Sequence, residues 1–159
     1  MYSDILSGIK TSFDRDTIIE EISLLKKSVY ESKEKLEETL KIDVRGSVTS
    51  IIRTKIEQGE NIEKYLDGLA TEVEKLTELK LELSFEPSEH SIDTIFSWVQ
   101  TNVGNGTILD IETNPKILGG ARISYKGKYW DGSLVKVLDD TLEASRVDVL
   151  AIISPQISK

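Results

Sequence analysis

Residues 114–142 read NPKILGGARISYKGKYWDGSLVKVLDDTL, and the order of parts in this stretch decides how the second half of the chain folds. Thr113-Asn114-Pro115 is turn chemistry, because Asn bonds to nearby backbone and Pro fixes its own φ. After the Gly119-Gly120 pair, Ala121, Ile123 and Tyr125 alternate with Arg122, Ser124 and Lys126, the period of a strand with two unlike faces. Gly127 supplies a tight turn into Lys128-Tyr129-Trp130, which makes a hairpin. Asp131-Gly132-Ser133 then predicts a turn ending in a helix N-cap at Ser133, with Leu134, Leu138 and Leu142 along one side of the helix. Nothing in the stretch pairs a nucleophile with a base, so it reads as a docking domain.

Upstream of this stretch the period changes. Leu79, Leu81, Leu83 and Phe85 alternate with Lys80, Glu82, Ser84 and Glu86, the pattern of a strand with one buried face. Pro87-Ser88 ends it, and Ser88 or Ser91 can cap a helix carrying Ile92, Ile95, Phe96, Val99 and Val103. Gly104-Asn105-Gly106 stops that helix, and a further strand is predicted over residues 107–112. Downstream, VDVLAIISPQ (residues 147–156) reads as one more strand, apolar enough to be buried.

Before residue 79 the period is helical. Thr17-Ile18-Ile19-Glu20 has the form of a capping box. Ile18, Ile22, Leu25, Val29, Leu36 and Leu40 follow it on one stripe. Val44, Val48, Ile51, Ile52 and Ile56 form a second helical stretch, interrupted by Gln58-Gly59, and Ile62, Leu66, Leu69, Val73 and Leu76 form a third. The stripes are narrow, suited either to packing on each other or to receiving a partner's helix. The expected fold class is α+β. An N-terminal antiparallel helical bundle or hairpin (residues 1–78) precedes a small mixed α/β C-terminal domain (residues 79–159).

Composition narrows the function. At 30% charged residues the chain has more exposed helical surface than an average domain. The net charge of -8 is shared evenly between the halves, so no basic face is set aside for phosphate backbones, and nucleic acid is not an expected partner. There is no cysteine, which excludes disulfides, zinc-thiolate sites and a cysteine nucleophile. No run approaches the length of a membrane span, and the N-terminus lacks both a signal core and transit character, so the chain is expected to be soluble and unprocessed.

No catalytic, cofactor or metal site is expected either. Gly104-Asn105-Gly106 and Gly119-Gly120 lack the spacing and the lysine of a phosphate loop. Acidic neighbours such as Asp139-Asp140 and Glu37-Glu38 diverge on a helix and read as solvated faces. His90 is the single histidine, expected in the exposed first turn of a helix and without a second ligand of its kind. Trp98 is expected in the core beside Phe96 and Val99, whereas at Trp130 core and interface weigh equally.

Pro115 to Gly120, a strand, a turn over Gly127, then Trp130-Asp131-Gly132-Ser133-Leu134 and a leucine-spaced helix resemble the end of the delta subunit of F-type ATP synthases. The mitochondrial equivalent is the oligomycin sensitivity-conferring protein. The upstream order of strand, helix and strand is similar to that family too, and the likeness covers about residues 79–142. In this chain Trp130 stands where an aliphatic residue is usual, and the helical region is shorter than the family's six-helix domain.

The resemblance implies a non-catalytic peripheral-stalk, or stator, subunit that serves proton-driven ATP synthesis. Its partners would be the alpha subunits, through the N-terminal helices, and the b-type stalk subunit, through the C-terminal domain. It would sit peripherally at the cytoplasmic face of a bacterial plasma membrane through the complex. On this reading Gly119, Gly120, Asp131, Gly132 and Ser133 are a fold motif. Ile18, Ile22, Leu25, Leu66, Leu69, Val73 and Trp130 are the candidate partner interface. Two other readings are a stator subunit of a vacuolar or archaeal rotary ATPase, and a helical adaptor unrelated to energy conversion.

Overall fold

The computed structural model describes the backbone of residues 2–153 and the side chains of residues 2–143. Among these residues the fold is mixed, with helices concentrated in the N-terminal half and a four-stranded sheet in the C-terminal half. The elements are α1 (Ser3–Leu6), α2 (Ser12–Glu31), α3 (Lys33–Ile42), α4 (Gly46–Glu57), α5 (Ile62–Glu74), β1 (Thr77–Leu83), α6 (Glu89–Asn102), β2 (Thr107–Thr113), a 3-10 turn (Pro115–Ile117), β3 (Ala121–Tyr125), β4 (Lys128–Asp131) and α7 (Leu134–Ile153). The chain forms two compact units. The first is Met1–Glu78 with His90–Asp110, and the second is Leu79–Glu89 with Ile111–Lys159.

In the first unit α2 packs against α3 and α5. Leu25, Ile52, Leu66, Leu69 and Val73 are fully buried, and Ile18, Ile22, Leu40, Val44, Val48 and Tyr65 complete the same core with Ile5 and Ile9 from the N-terminal segment and Ile108 from β2. Leu66, Leu69 and Val73 recur at spacings of three and four on α5, so one side of that helix is spent on the core. Gly68 lies on α5 where the Tyr2 ring crosses it. A Cβ there would come within 2.0 Å of the Tyr2 hydroxyl oxygen, so glycine permits the approach.

Two helix boundaries differ from the sequence expectation. The helix begins at Ser12, capped by Thr11, whose hydroxyl accepts from the Asp14 N–H while the Asp14 carboxylate accepts from the Thr11 N–H. Thr17 lies inside the helix and donates its hydroxyl to the Phe13 carbonyl, so the box at Thr17 does not form. The stripe from Ile18 to Leu40 is also cut in two. Ser32 is extended, ends α2, and caps α3 by accepting from the Lys35 N–H at 3.1 Å. A serine hydroxyl offers the backbone this alternative to continued helix.

The sheet order is β2-β1-β3-β4. The amide of Thr77 bonds the carbonyl of Gly106 beside the start of β2, and the amide of Asn114, just past its end, bonds that of Leu83. Starts lie beside starts and ends beside ends, so β1 and β2 run parallel, with α6 as the crossover. β1 pairs antiparallel with β3, setting Leu81 opposite Ile123, and β3 pairs antiparallel with β4. Leu79, Leu81 and Leu83 are buried, but Phe85 falls beyond the strand and is exposed.

The tail expectation is corrected. Residues 147–153 belong to α7 and not to a strand, while residues 154–156 of the expected strand lie outside the described residues. An isolated apolar run fits either period, and here the helix begun at Ser133 carries through it. No helix among the described residues is long and apolar enough to cross a membrane.

Candidate functional site: a turn lock and two exposed apolar surfaces

The second unit is built around the two glycine-bearing segments of the opening stretch. Asn114 caps the 3-10 turn by accepting from the Lys116 N–H, and Leu118 closes it in the left-handed region with φ 60°. Gly120 follows with φ 78°, and a Cβ there would lie 2.2 Å from the carbonyl oxygen of Gly132. The two segments are tied by backbone bonds, Gly132 N–H to the Ala121 carbonyl at 2.9 Å and Leu134 N–H to the Gly119 carbonyl at 2.8 Å. Gly132 in turn lies under the Trp130 indole, whose ring atoms would be 2.0 Å from a Cβ at that position. Glycine is thus required at 120, where a Cβ would strike backbone and φ is left-handed, whereas a Cβ at 132 would displace the exposed Trp130 ring.

Asp131 and Ser133 finish the lock. One Asp131 oxygen accepts from the Ser133 N–H at 2.9 Å, and the other accepts from Arg122 Nε at 3.1 Å. Hydrogen bonds from Ser133 hold the Asp131 carboxyl below the usual carboxylate pKa, with the Arg122 charge adding to the effect. Arg122 also reaches Glu82 on β1 at 3.4 Å. Ser133 is fully buried, and its hydroxyl accepts from the Lys136 N–H in the first turn of α7. Between β3 and β4 the loop is Lys126-Gly127, both with positive φ, which is the I′ geometry that suits a two-residue hairpin.

The lock leaves apolar surface open. Trp130 is 59% exposed, and Leu134, Val137, Leu138 and Leu142 on α7 are all exposed. The Leu134, Leu138 and Leu142 side therefore has no cover among the described residues. Trp98, expected in the core, is also exposed. On α6 the inward stripe is Ile92, Ile95, Phe96 and Val99, of which Val99 is buried and the others half-buried, and position 98 lies off it. His90 is exposed in the first turn of α6.

The candidate interface residues of the first unit have a different fate. Ile18, Ile22, Leu25, Leu66, Leu69 and Val73 are all buried in the core of that unit. A partner helix could reach them only by displacing a helix of this chain. Among the exposed apolar residues of this unit, which include Phe13 and Tyr30, Leu24 and Ile42 border grooves, and Ile42 is 71% exposed. Two shallow grooves of about 500 Å³ meet at Ile42. One is lined along α3 by Lys33, Glu34, Glu37 and Lys41, the other by Glu20, Leu24, Asp43 and Arg45. Sequence periodicity missed this surface because Ile42 falls at the end of α3, off the buried stripe.

The second groove has a rigid floor. Glu21 is nearly buried and accepts three bonds from Arg45, from the backbone N–H at 2.8 Å and from Nε and Nη2 at 2.9 Å. The Glu21 carboxylate raises the Arg45 pKa above its ordinary value. The bidentate fork fixes the start of α4 against the middle of α2.

Among the described residues no cluster of three or more His, Cys, Asp or Glu could hold a metal. The family scan finds no matching model, and no curated protein matches the chain.

Proposed function

We propose that this chain is a peripheral-stalk subunit of the delta type in an F-type ATP synthase. In that role it is non-catalytic and joins the catalytic head to the b-type stalk, so that the head does not turn with the rotor. The observation that carries the reading is the backbone lock between Gly119-Gly120 and Asp131-Gly132-Ser133. It gives a physical role to Gly120, Asp131 and Ser133 of the motif that bears the resemblance, and Trp130 and the leucine side of α7 are exposed beside it.

On this reading the α7 side with Trp130 receives the b-type stalk, and the Leu24 and Ile42 surface of the helical unit receives the alpha subunits. The first is an exposed apolar surface, and the second sets Leu24 and Ile42 among charged residues of α2 and α3, an apolar centre with a polar rim as interfaces commonly have. The attachment to the cytoplasmic face of the membrane is then through the complex. A helical adaptor of another system is the second reading, since the same open surfaces would serve it.

The test is affinity capture of the tagged chain from its host, with co-purifying proteins identified by mass spectrometry. Near-stoichiometric alpha, beta and b-type subunits are expected. Replacing Trp130 and Leu138 with Ser should lose the b-type subunit, and replacing Leu24 and Ile42 with Asp should lose the alpha and beta subunits. A different dominant partner, retained or not by these variants, rejects the stator reading.

A further inference from the structure

Residues 9–15, which lead from α1 into α2, touch α6, β1 and β2 within the first unit. The Lys10 carbonyl accepts from the Leu109 N–H at 2.9 Å, and Thr11 forms a parallel bridge with Leu109 on the outer side of β2. The Lys10 ammonium pairs with Asp93 on α6 at 2.6 Å, and the Ser12 hydroxyl donates to Asp110 at 3.0 Å. Arg15 pairs with Glu78 at the start of β1. Ile9 beside them is buried in the helical core.

The helices of this unit already have a covalent link to its sheet residues, from α5 through Leu76 into β1. Ile108 of β2 adds a second contact, buried in the helical core with Ile9; apolar packing of one side chain is non-directional and sets rotation only weakly. Directional bonds beside that contact restrict the remaining rotation, and residues 9–15 supply them, entering from the other end of the helical unit. We infer that residues 9–15 are a second tether, which fixes α6 and the start of β2 in rotation against α2 to α5. The purpose of such a tether rests on the stator reading, in which a swivel inside this unit would let the catalytic head turn. Its existence does not depend on that reading.

The contacts are suited to the task in kind. Three of them are polar side-chain pairs that reach outward from the segment, and one is a backbone bridge that sets register. The capping box of Thr11 and Asp14 starts α2 at the bridge itself, so the strand-like residue and the helix are one rigid piece.

The chain holds no cysteine, so spin labels can be placed without background. The experiment labels Lys27→Cys on α2 with Thr101→Cys on α6, and as a control Lys27→Cys with Lys64→Cys on α5. All three positions are exposed. Distance distributions from pulsed electron resonance are compared between the intact tether and the variant Lys10→Ala, Ser12→Ala, Arg15→Ala.

The expected result is at least a twofold broader distribution between α2 and α6, with the control between α2 and α5 unchanged. An unchanged distance between α2 and α6 in a folded variant overturns the inference. Equal broadening of both pairs also overturns it, because the segment would then be part of the core and not a separate tether. Should the triple variant fail to fold, Lys10→Met with Ser12→Ala keeps the Arg15 pair and is read against the same two outcomes. No partner protein enters the measurement, so its failure is separate from failure of the stator reading.

Discussion

The helical unit and the second unit keep their shapes by different means. In the first, apolar side chains from four helices close on each other, and five of them have no exposed surface at all. In the second, a small motif is held by backbone bonds, two glycines and one carboxylate, while the leucine side of its helix stays open. A core tolerates change at its surface and punishes change inside. A turn lock is sensitive at a few backbone positions and tolerant elsewhere, which frees its side chains for partners.

The sharpest break in this contrast is expected from Leu69→Asp, which buries an unpaired carboxylate at a fully closed position. A loss of at least about 4 kcal/mol is expected, enough to unfold the helical unit. Far-UV circular dichroism would show the helical signal fall, and a cooperative native-like melt in this variant would argue against a closed core.

Two changes of about 2 to 3 kcal/mol would follow, one in each unit. Arg45→Ala leaves the nearly buried Glu21 carboxylate without its fork, and because the Arg45 side chain is itself 41% exposed the loss is expected to be about 2 kcal/mol. Gly120→Ala places a side chain in a left-handed conformation and against the Gly132 carbonyl, a cost of about 3 kcal/mol from strain and clash together. Hydrogen exchange read by segment separates them. Arg45→Ala should speed exchange in α2 and α4, and Gly120→Ala in β3, β4 and the start of α7. The same segments responding to both variants would erase the distinction between the units.

Smaller still is Trp130→Ala, an exposed position where a loss of about 1 kcal/mol is expected, mostly from uncovering Gly132. Chemical denaturation reads the stability, and a loss above about 3 kcal/mol would place Trp130 in the core of its unit after all.

The smallest effect is in pH. The Asp131 pKa is lower in the folded chain than in the unfolded one, so its contribution is present above the unfolded value of about 3.9 and fades as pH falls through the folded value. Acid should therefore loosen the Ser133 amide in wild type, seen as faster exchange, and Asp131→Asn should flatten that response.

Much of the fold is legible in the chain, because period and turn chemistry act locally. The switch from helical spacing to alternation near residue 79, the stop at Gly104-Asn105-Gly106 and the Lys126-Gly127 hairpin are each decided by a few adjacent residues. The misses have a common cause, which is competition between equally good local choices. Thr11 with Asp14 and Thr17 with Glu20 are both hydroxyl-acid pairs, and the one that caps the helix is the one whose threonine also bridges Leu109, a contact remote in sequence. Trp98 has the hydrophobicity of a core residue but the wrong angle on α6. Closure of the stripe at Leu66 and Leu69 within this chain is a matter of shape, which spacing alone does not encode.

The path of the chain through its two units has a consequence for synthesis. It leaves the first unit after Glu78, spends residues 79–89 in the second, returns for His90–Asp110, and crosses again. The first unit is therefore incomplete on the ribosome until residue 110 has emerged, when Asp93 and Leu109 can meet Lys10 and Thr11. A fragment cut at residue 78 would carry the five helices without the residues that close them. The nascent chain must hold its apolar helices for the time it takes to translate some thirty further residues, and that interval is where a chaperone would act.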